Sequence, residues 1–162
     1  MPLALHPYRP DDRSACLTIF DGNTPRFFDP SERADFAGFL EAGPDDYFVV
    51  TDGNEVVGCG GVFVRDGTGG PCWGGLCWGM VESTRHRTGV GSFLLRQRLA
   101  HLAETYPQLD AVLLDTSQHS QGFFARFGFE TIRVTPDAYE PGLDRYDMRL
   151  SRGTLLKLKP YG

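Results

Sequence analysis

A short glycine-containing turn carries the strongest chemical signal in the sequence. It spans residues 86–92 and lies between an apolar run that predicts a strand ending at Val81 and an apolar periodicity that predicts a helix. In such a turn, successive backbone N–H groups and the positive end of the helix point to one place and favour an anion. Gly89 and Gly91 have no Cβ atom, so a diphosphate can approach the main chain closely. The segment 80–104 is therefore predicted to hold the pyrophosphate of a nucleotide-containing cofactor.

Two other nucleotide-binding motifs do not fit this turn. A dinucleotide-binding G-x-G-x-x-G motif needs a third glycine, and Leu94 stands at that position. The phosphate-binding loop of nucleoside triphosphatases needs G-K-[ST], which the turn lacks. Arg85 and Arg87 add positive charge beside the turn, which supports an anionic ligand.

A second motif spans residues 117–129 and predicts a short helix followed by a Gly-Phe turn. Together the two motifs resemble those of the GCN5-related N-acetyltransferase (GNAT) superfamily. Its central motif is Arg or Gln, two residues, Gly, one residue and then Gly or Ala, and its second motif has the form N-x-x-A-x-x-F-Y-x-K-x-G-F. The resemblance covers residues 46–150 well and residues 1–45 only through a strand–helix–helix pattern. Residues 151–162 have no clear counterpart.

The resemblance implies acetyl-CoA, or another acyl-CoA, as co-substrate. It also implies the GNAT fold, an α/β (α+β) architecture whose mixed central sheet has antiparallel N-terminal strands and a parallel, splayed pair, flanked by helices. The pantetheine arm would lie between the strands ending at Val81 and Asp115, where main-chain groups would polarise the thioester carbonyl. The residues that the resemblance assigns to cofactor binding are Met80, Val81, His86, Arg87, Thr88, Gly89, Val90, Gly91, Ser92, Ser117 and Phe124.

Three positions depart from the family pattern. His86 stands where Arg or Gln is usual. Ser117 stands where Asn is usual, and its shorter side chain has less reach towards the cofactor arm. Phe124 occupies the position of the Tyr that protonates the departing thiolate in many members, and Phe has no proton to donate. Thiols have a pKa near ~8.5, so a thiolate remains a tolerable leaving group near neutrality. The candidates for a replacement acid are Tyr139, Tyr146, Ser117 and His119, although the tyrosines also fit ordinary surface residues and His119 also fits a helix cap.

The base that accepts the proton of the attacking amine has candidates at the ends of the two strands. Glu82 and Asp115 stand there, and solvated loop carboxylates or a chain of waters are the alternatives. His119 also remains a candidate, because an unperturbed imidazole has a pKa near ~6.5.

Two segments are candidates for the acceptor side. Residues 23–28 join the first two predicted helices and carry paired aromatic side chains, which fit a substrate pocket or simple core packing. Residues 136–145 are predicted to form a loop, in which Glu140 and Asp144 would meet either a cationic acceptor or only water.

The predicted elements give a mixed α/β order with a parallel join near the centre. Asp52-Gly53-Asn54 predicts a tight hairpin, 66–70 a flexible turn, and Asp29 to Glu32 the start of a helix. Apolar periodicity predicts helices over 14–20, from Asp29 to about Leu40, over 90–106 and over 120–127, and strands over 3–8, 47–50, 56–64, 72–81, 111–115, 129–134 and 146–150.

Composition narrows the class of protein. The 162 residues suit a single domain, and the net charge of −5 argues against a nucleic-acid partner. No membrane-spanning run and no secretion signal are recognised, so a cytoplasmic location is expected. The four cysteines and four histidines lack metal-binding spacing, so no metal is expected. The tail 151–162 fits either an extra strand at the edge of a homodimer or a frayed end.

These features together predict an N-acetyltransferase that transfers an acetyl group from acetyl-CoA to a primary amine by direct attack. A small-molecule amine, such as an amino acid or a polyamine, is the expected partner. A non-catalytic acyl-CoA-binding module and a protein N-terminal or lysine acetyltransferase are the alternatives.

Overall fold

The computed structural model describes residues 2–66 and 71–158. Its strands follow the order β1-β2-β3-β4-β5-β7-β6 along one mixed sheet. The strands β4 and β5 run parallel, and the pairs β1–β2, β2–β3, β5–β7 and β6–β7 are antiparallel, which confirms the predicted fold class. The elements are β1 Leu3–Pro7, α1 Arg13–Gly22, α2 Arg33–Glu41, β2 Tyr47–Asp52, β3 Glu55–Asp66, β4 Cys72–Val81, α3 Val90–Thr105, β5 Ala111–Thr116, α4 Gln121–Ala125, β6 Glu130–Glu140, β7 Leu143–Ser151 and α5 Arg152–Lys157.

The described chain divides into two compact units, and the first comprises residues 2–62 and 77–98. Its core contains aromatic rings from α1, α2 and the end of β4: Phe20 and Phe36 stack with centroids 5.6 Å apart, and Phe36 lies 5.0 Å from Trp78. The sequence forms α2 here because Phe36 and Leu40 are one helical turn apart and are both buried. The aromatic face of α2 is thus directed to the core.

The second unit comprises residues 63–76 and 99–158. The strands β4 and β5 pair in parallel, with Trp73 opposite Ala111 and Gly74 opposite Val112. Gly74 allows close packing, because a Cβ there would lie 3.1 Å from a methyl group of Leu102. That the whole chain acts as a single domain stays a prediction.

Two predictions about the C-terminal part were wrong. The predicted loop 136–145 is instead mostly strand, because Gly142 adopts φ +83° and the Asp137 carboxylate accepts from its N–H at 2.6 Å, so the chain reverses within a tight turn. Residues 152–157 of the tail form α5 instead of an extra strand, because the Ser151 hydroxyl accepts from the N–H of Thr154 at 3.2 Å and caps the helix. The alternative of a frayed end falls on residues after 158, outside the described part of the chain. The predicted turn at 66–70 falls almost wholly outside the described residues.

A membrane-crossing helix would need length and apolar character together. None of the helices formed by residues 2–66 and 71–158 has both.

Candidate active site

The end of β4 contains a distorted residue. Trp78 has φ +43°, a left-handed conformation that costs energy for a bulky side chain and marks sites held by their surroundings. The hydroxyl of Tyr47 donates to the Trp78 carbonyl at 2.8 Å, and Tyr47 is 1% exposed. The indole stacks on Phe28 with centroids 6.1 Å apart. The distortion is therefore fixed from both the main chain and the side chain, two residues before Met80.

The last residue of β4 has its carbonyl occupied by the protein itself. The Val81 carbonyl accepts from the Asn23 side-chain amide at 2.9 Å and lies 3.0 Å from His86 Nε2. Because a carbonyl only accepts, His86 carries its proton on Nε2 in this arrangement. The predicted contacts of Met80 and Val81 with a cofactor arm stay a prediction, and the Val81 carbonyl already has two partners within the protein.

The turn after β4 has the geometry of an anion site. Gly89 adopts φ +94°, and among the described residues no heavy atom would lie within 4 Å of a Cβ there. The N–H of Phe93 bonds to the Gly89 carbonyl at 3.0 Å, so α3 begins directly after Gly89. The N–H groups of residues 90–92 have no acceptor within the helix, by its geometry. The open space at Gly89 and these N–H groups together fit a diphosphate.

One arginine predicted to add charge to this turn is used elsewhere. The Arg85 guanidinium pairs with Asp52 at 2.6 Å and with Glu55 at 3.0 Å, both in the β2–β3 hairpin. The hydrogen bond to Asp52 raises the pKa of Arg85. The prediction that Arg85 charges the anion site was wrong, because two carboxylates distant in sequence neutralise it. Arg87 lies within the turn itself and adopts φ +65°.

A charged side chain that the sequence did not single out lies beside the distorted strand. Arg98, in α3, is 6% exposed, and burial lowers its pKa to about 10. A Cβ on Gly79 would lie 2.9 Å from each Nη atom, and one on Gly60 would lie 3.2 Å from Cζ. Two strand glycines therefore make room for the guanidinium. The sequence carried one signal for this, the four-residue spacing of Arg98 from the buried Leu94 and Leu102.

Glu82, the candidate base of the first unit, is a weaker base than an ordinary glutamate. Its carboxylate accepts from the hydroxyl of Thr84, and this hydrogen bond is the main cause that lowers the pKa of Glu82. The nearby charge of Arg85 acts in the same direction. The group therefore remains a carboxylate at neutral pH.

The second unit brings two of its candidates together. The Tyr139 hydroxyl donates to Asp115 Oδ2 at 2.5 Å, and Arg145 Nη2 lies 3.8 Å from Asp115 Oδ1. Burial, and then the hydrogen bond to the carboxylate, raise the pKa of Tyr139 well above its usual value. Tyr139 consequently holds its proton more tightly than a free tyrosine, which makes it a poorer acid.

The remaining predicted residues of the second unit lie in the turn before α4, in α4 and in β7. Ser117 Oγ accepts from the N–H of His119 at 3.2 Å, so both residues shape the turn before α4. Phe124 makes an edge contact with Phe129 at 5.8 Å and acts in packing. Tyr146 pairs with Thr116 in the β5–β7 register.

The two acceptor-side segments have mixed outcomes. Phe28 packs on Trp78. Phe27 is 51% exposed, and its ring meets the ring of His86 edge to face with centroids 5.3 Å apart. Asp144 is used structurally, because its carboxylate accepts from the N–H of Asp137 at 3.0 Å.

Comparison with known proteins agrees with this fold. The model of the Acetyltransferase (GNAT) family matches residues 13–129. A GNAT-family protein from Desulfovibrio desulfuricans superposes with a TM-score of 0.75 at 22% identity, covering 93% of this chain and 99% of that chain. The NatC complex bound to Gag peptide and CoA gives a TM-score of 0.76 at 16% identity, with coverages of 93% and 99%.

A third structure has a defined protein acceptor in its name. The ribosomal-protein-S18-alanine N-acetyltransferase from Escherichia coli gives a TM-score of 0.70 at 13% identity, covering 99% of this chain and 97% of that chain. At these identities the structural matches show a shared fold alone. No curated protein sequence matches this chain significantly.

Proposed function

Because the chain belongs to the Acetyltransferase (GNAT) family, we propose that it transfers an acetyl group from acetyl-CoA to a primary amine of a small molecule by direct attack. Membership of the family makes it an acetyl-CoA-dependent acyltransferase. The nature of the acceptor is the part that we add as a proposal.

The observation that carries the proposal is the open turn at the start of α3. Gly89 has a conformation that suits glycine and leaves free space where a side chain would stand. The N–H groups of residues 90–92 and the positive end of the 16-residue helix α3 supply the attraction for a diphosphate. We assign the pyrophosphate of CoA to residues 86–92.

The reaction needs few chemical groups from the protein. The amine nitrogen attacks the thioester carbonyl, the C–S bond breaks, CoA leaves as its thiolate, and the amine gives up one proton. Main-chain N–H groups at the end of β4 polarise the carbonyl, and the strained Trp78 before them fixes their direction.

We do not assign the role of general acid to Tyr139, because its raised pKa opposes proton donation. The thiolate then departs unprotonated. His119, Ser117 and Tyr146 are the remaining candidates for a general acid and can be tested by substitution. A water chain that ends at Glu82 carries the amine proton away.

The first experiment measures thiol release from acetyl-CoA against a panel of amines, together with CoA binding by calorimetry. The variant Gly89→Glu brings bulk and negative charge to the proposed pyrophosphate site, so we expect CoA binding to be lost. Gly43→Glu is the matched control, because Gly43 has φ +69° and equally open surroundings but lies after α2. Unchanged CoA affinity in Gly89→Glu means that the site is misplaced.

One alternative function has an observation in its favour. Phe124 removes the usual proton donor, which suits an acyl-CoA-binding module without transferase activity. Binding of acetyl-CoA with no turnover of any amine in the panel would favour that module. Turnover of a peptide N-terminus alone would favour a protein acetyltransferase, the activity named for the Escherichia coli neighbour.

A further inference from the structure

The second unit contains a groove that combines aromatic and charged side chains. Its volume is 550 Å³, within the ~300–1,000 Å³ typical of small-molecule sites. One part of its lining is apolar and aromatic. The rings of Phe63 and Trp73 meet edge to face at 6.1 Å, and Leu113 lies beside them. A Cβ on Gly75 would lie 2.3 Å from the ring of Phe63, so the ring can occupy this place only because residue 75 is a glycine.

Charged side chains of both signs line the other part of the groove. Asp115 on β5 stands opposite Asp147 on β7, and Asp147 stands opposite Arg133 on β6. Arg145 Nε bonds to Asp147 Oδ1 at 2.9 Å, and Tyr139 holds Asp115 from the side. The β5–β7–β6 register therefore brings two carboxylates and two guanidinium groups to one place.

The balance of these charges selects among amines. The two carboxylates attract an ammonium group, but the two arginines, Arg133 and Arg145, cancel their net charge. A polyamine would bring several positive charges to a lining of zero net charge. A zwitterion, by contrast, pairs its ammonium with the aspartates and its carboxylate with an arginine. The neighbouring aromatic wall then suits an apolar side chain on the same molecule.

We propose that this groove binds a free α-amino acid with an aromatic or branched aliphatic side chain, which is the acetyl acceptor. The ammonium lies at Asp115 and Asp147, the carboxylate at Arg133, and the side chain against Trp73 and Phe63. The ammonium loses one proton to water before it attacks, because only the neutral amine has a lone pair, and the second proton leaves as the amide forms. A peptide N-terminus lacks the carboxylate next to its amine and so cannot form the ion pair with Arg133. The proposal rests on the proposed function, because the amine that is bound is the amine that is acetylated.

The test compares ligands that differ in one group. Calorimetry on the full chain, with and without CoA, measures the binding of L-phenylalanine, L-phenylalaninamide and spermidine. A hydrogen-bonded ion pair to the carboxylate predicts that L-phenylalanine binds at least roughly 10-fold more tightly than its amide. Turnover of the same three amines with acetyl-CoA is expected to follow the same order.

Matched variants locate the effect. In Arg133→Gln the preference for acid over amide is expected to fall to about 1–3-fold, because the neutral side chain no longer pairs with the carboxylate. In Trp73→Ala the affinity for L-phenylalanine is expected to fall while the acid-over-amide ratio stays. Arg149→Gln is the control, because Arg149 is exposed on the same strand as Arg145 but does not line the groove.

Equal binding of acid and amide, or an unchanged preference in Arg133→Gln, would overturn the inference. Acetylation of spermidine alone would overturn it as well and leave the proposed function intact. Loss of the proposed function has a different signature, since a chain that binds no CoA thioester fails before the acceptor is tested. Binding of L-phenylalanine without its acetylation would also overturn the acceptor assignment.

Discussion

The guanidinium of Arg98 lies directly on the backbone of Gly79, so that a Cβ on Gly79 would be 2.9 Å from both Nη atoms. Gly79 follows the strained Trp78 and precedes Met80, in the part of β4 that we assign to the thioester. Arg98 is 6% exposed, and within the described chain its Nη1 has the Gly61 carbonyl at 3.4 Å. The charge is thus buried, and its Nε has no hydrogen-bond partner within the described chain, a costly arrangement for which the neighbouring glycines make room.

Gly79→Ala is expected to destabilise the protein by about 1–3 kcal/mol, because the added methyl group overpacks against the buried guanidinium of Arg98. Urea unfolding measures the loss. Gly38→Ala is the control: Gly38 lies in α2 with no described heavy atom within 4 Å of a Cβ, so alanine there is expected to stabilise by about 0.5–1 kcal/mol.

The double variant Gly79→Ala with Arg98→Met tests whether the contact is the cause. A flexible, uncharged methionine gives way to the methyl group, so the loss in the double variant is expected to be smaller than the sum of the two single changes. Strict additivity would show that the guanidinium is not what Gly79 accommodates.

Local signals in the sequence were enough to predict most of the elements. The apolar residues of 72–81 predicted a strand there, which is β4 as observed, and Asp52-Gly53-Asn54 predicted the hairpin between β2 and β3. The helix starting at Val90 followed from its apolar spacing. Gly89 was recognisable for the same reason, since its positive φ is a local property of the turn before α3.

The remainder depended on partners distant in the sequence. The Arg85–Asp52 pair joins residues 33 positions apart, and the Asn23–Val81 hydrogen bond joins residues 58 apart. The prediction of a loop at 136–145 failed because Pro136 is normally a loop residue. The residue is tolerated in β6 because β6 is an edge strand, where a missing N–H costs little.

Thr84→Val is expected to raise the pKa of Glu82 towards its usual value, because the hydrogen bond that favours the carboxylate is removed. The lowered pKa stabilises the native protein above the unfolded value of 4.5, and this contribution is lost as the pH falls through the native pKa. Titration by NMR measures the shift. If Glu82 accepts the amine proton, the acidic limb of the pH–rate profile moves to higher pH together with the pKa of Glu82.

If NMR shows the raised pKa of Glu82 but the acidic limb of the pH–rate profile stays at the same pH, Glu82 is no longer a candidate base. Thr18→Val is the control, since Thr18 donates to the Ser14 carbonyl in α1 and is not among the residues assigned to the cofactor. Its rate profile is expected to keep its acidic limb.

Asp115→Asn is expected to lower the pKa of Tyr139, because it removes the carboxylate that accepts from the hydroxyl and repels the phenolate. A raised pKa stabilises the native state below the unfolded value of 10.0 and is lost as the pH rises through the native value, so the variant loses stability mainly at neutral pH. Ultraviolet titration of tyrosinate, with Tyr139→Phe to identify the signal, measures the change. Tyr139→Phe alone is expected to leave turnover at pH 7 within about 3-fold, because the group is too weak an acid to contribute.

Asn23→Leu is expected to destabilise the protein by about 1–3 kcal/mol, because a buried side chain that donates to two carbonyls is replaced by one that donates to none. Asn23 is 3% exposed and bonds to Ile19 at 2.8 Å and to Val81 at 2.9 Å. Urea unfolding measures the loss, and Thr24→Val, which breaks an exposed bond to the Asp21 carbonyl, is the control and is expected to change stability by less than about 0.5 kcal/mol. Because the Val81 carbonyl retains His86, CoA affinity is expected to fall less in Asn23→Leu than in Gly89→Glu. A stable Asn23→Leu protein would mean that the bond to Val81 does not hold the end of β4 in place.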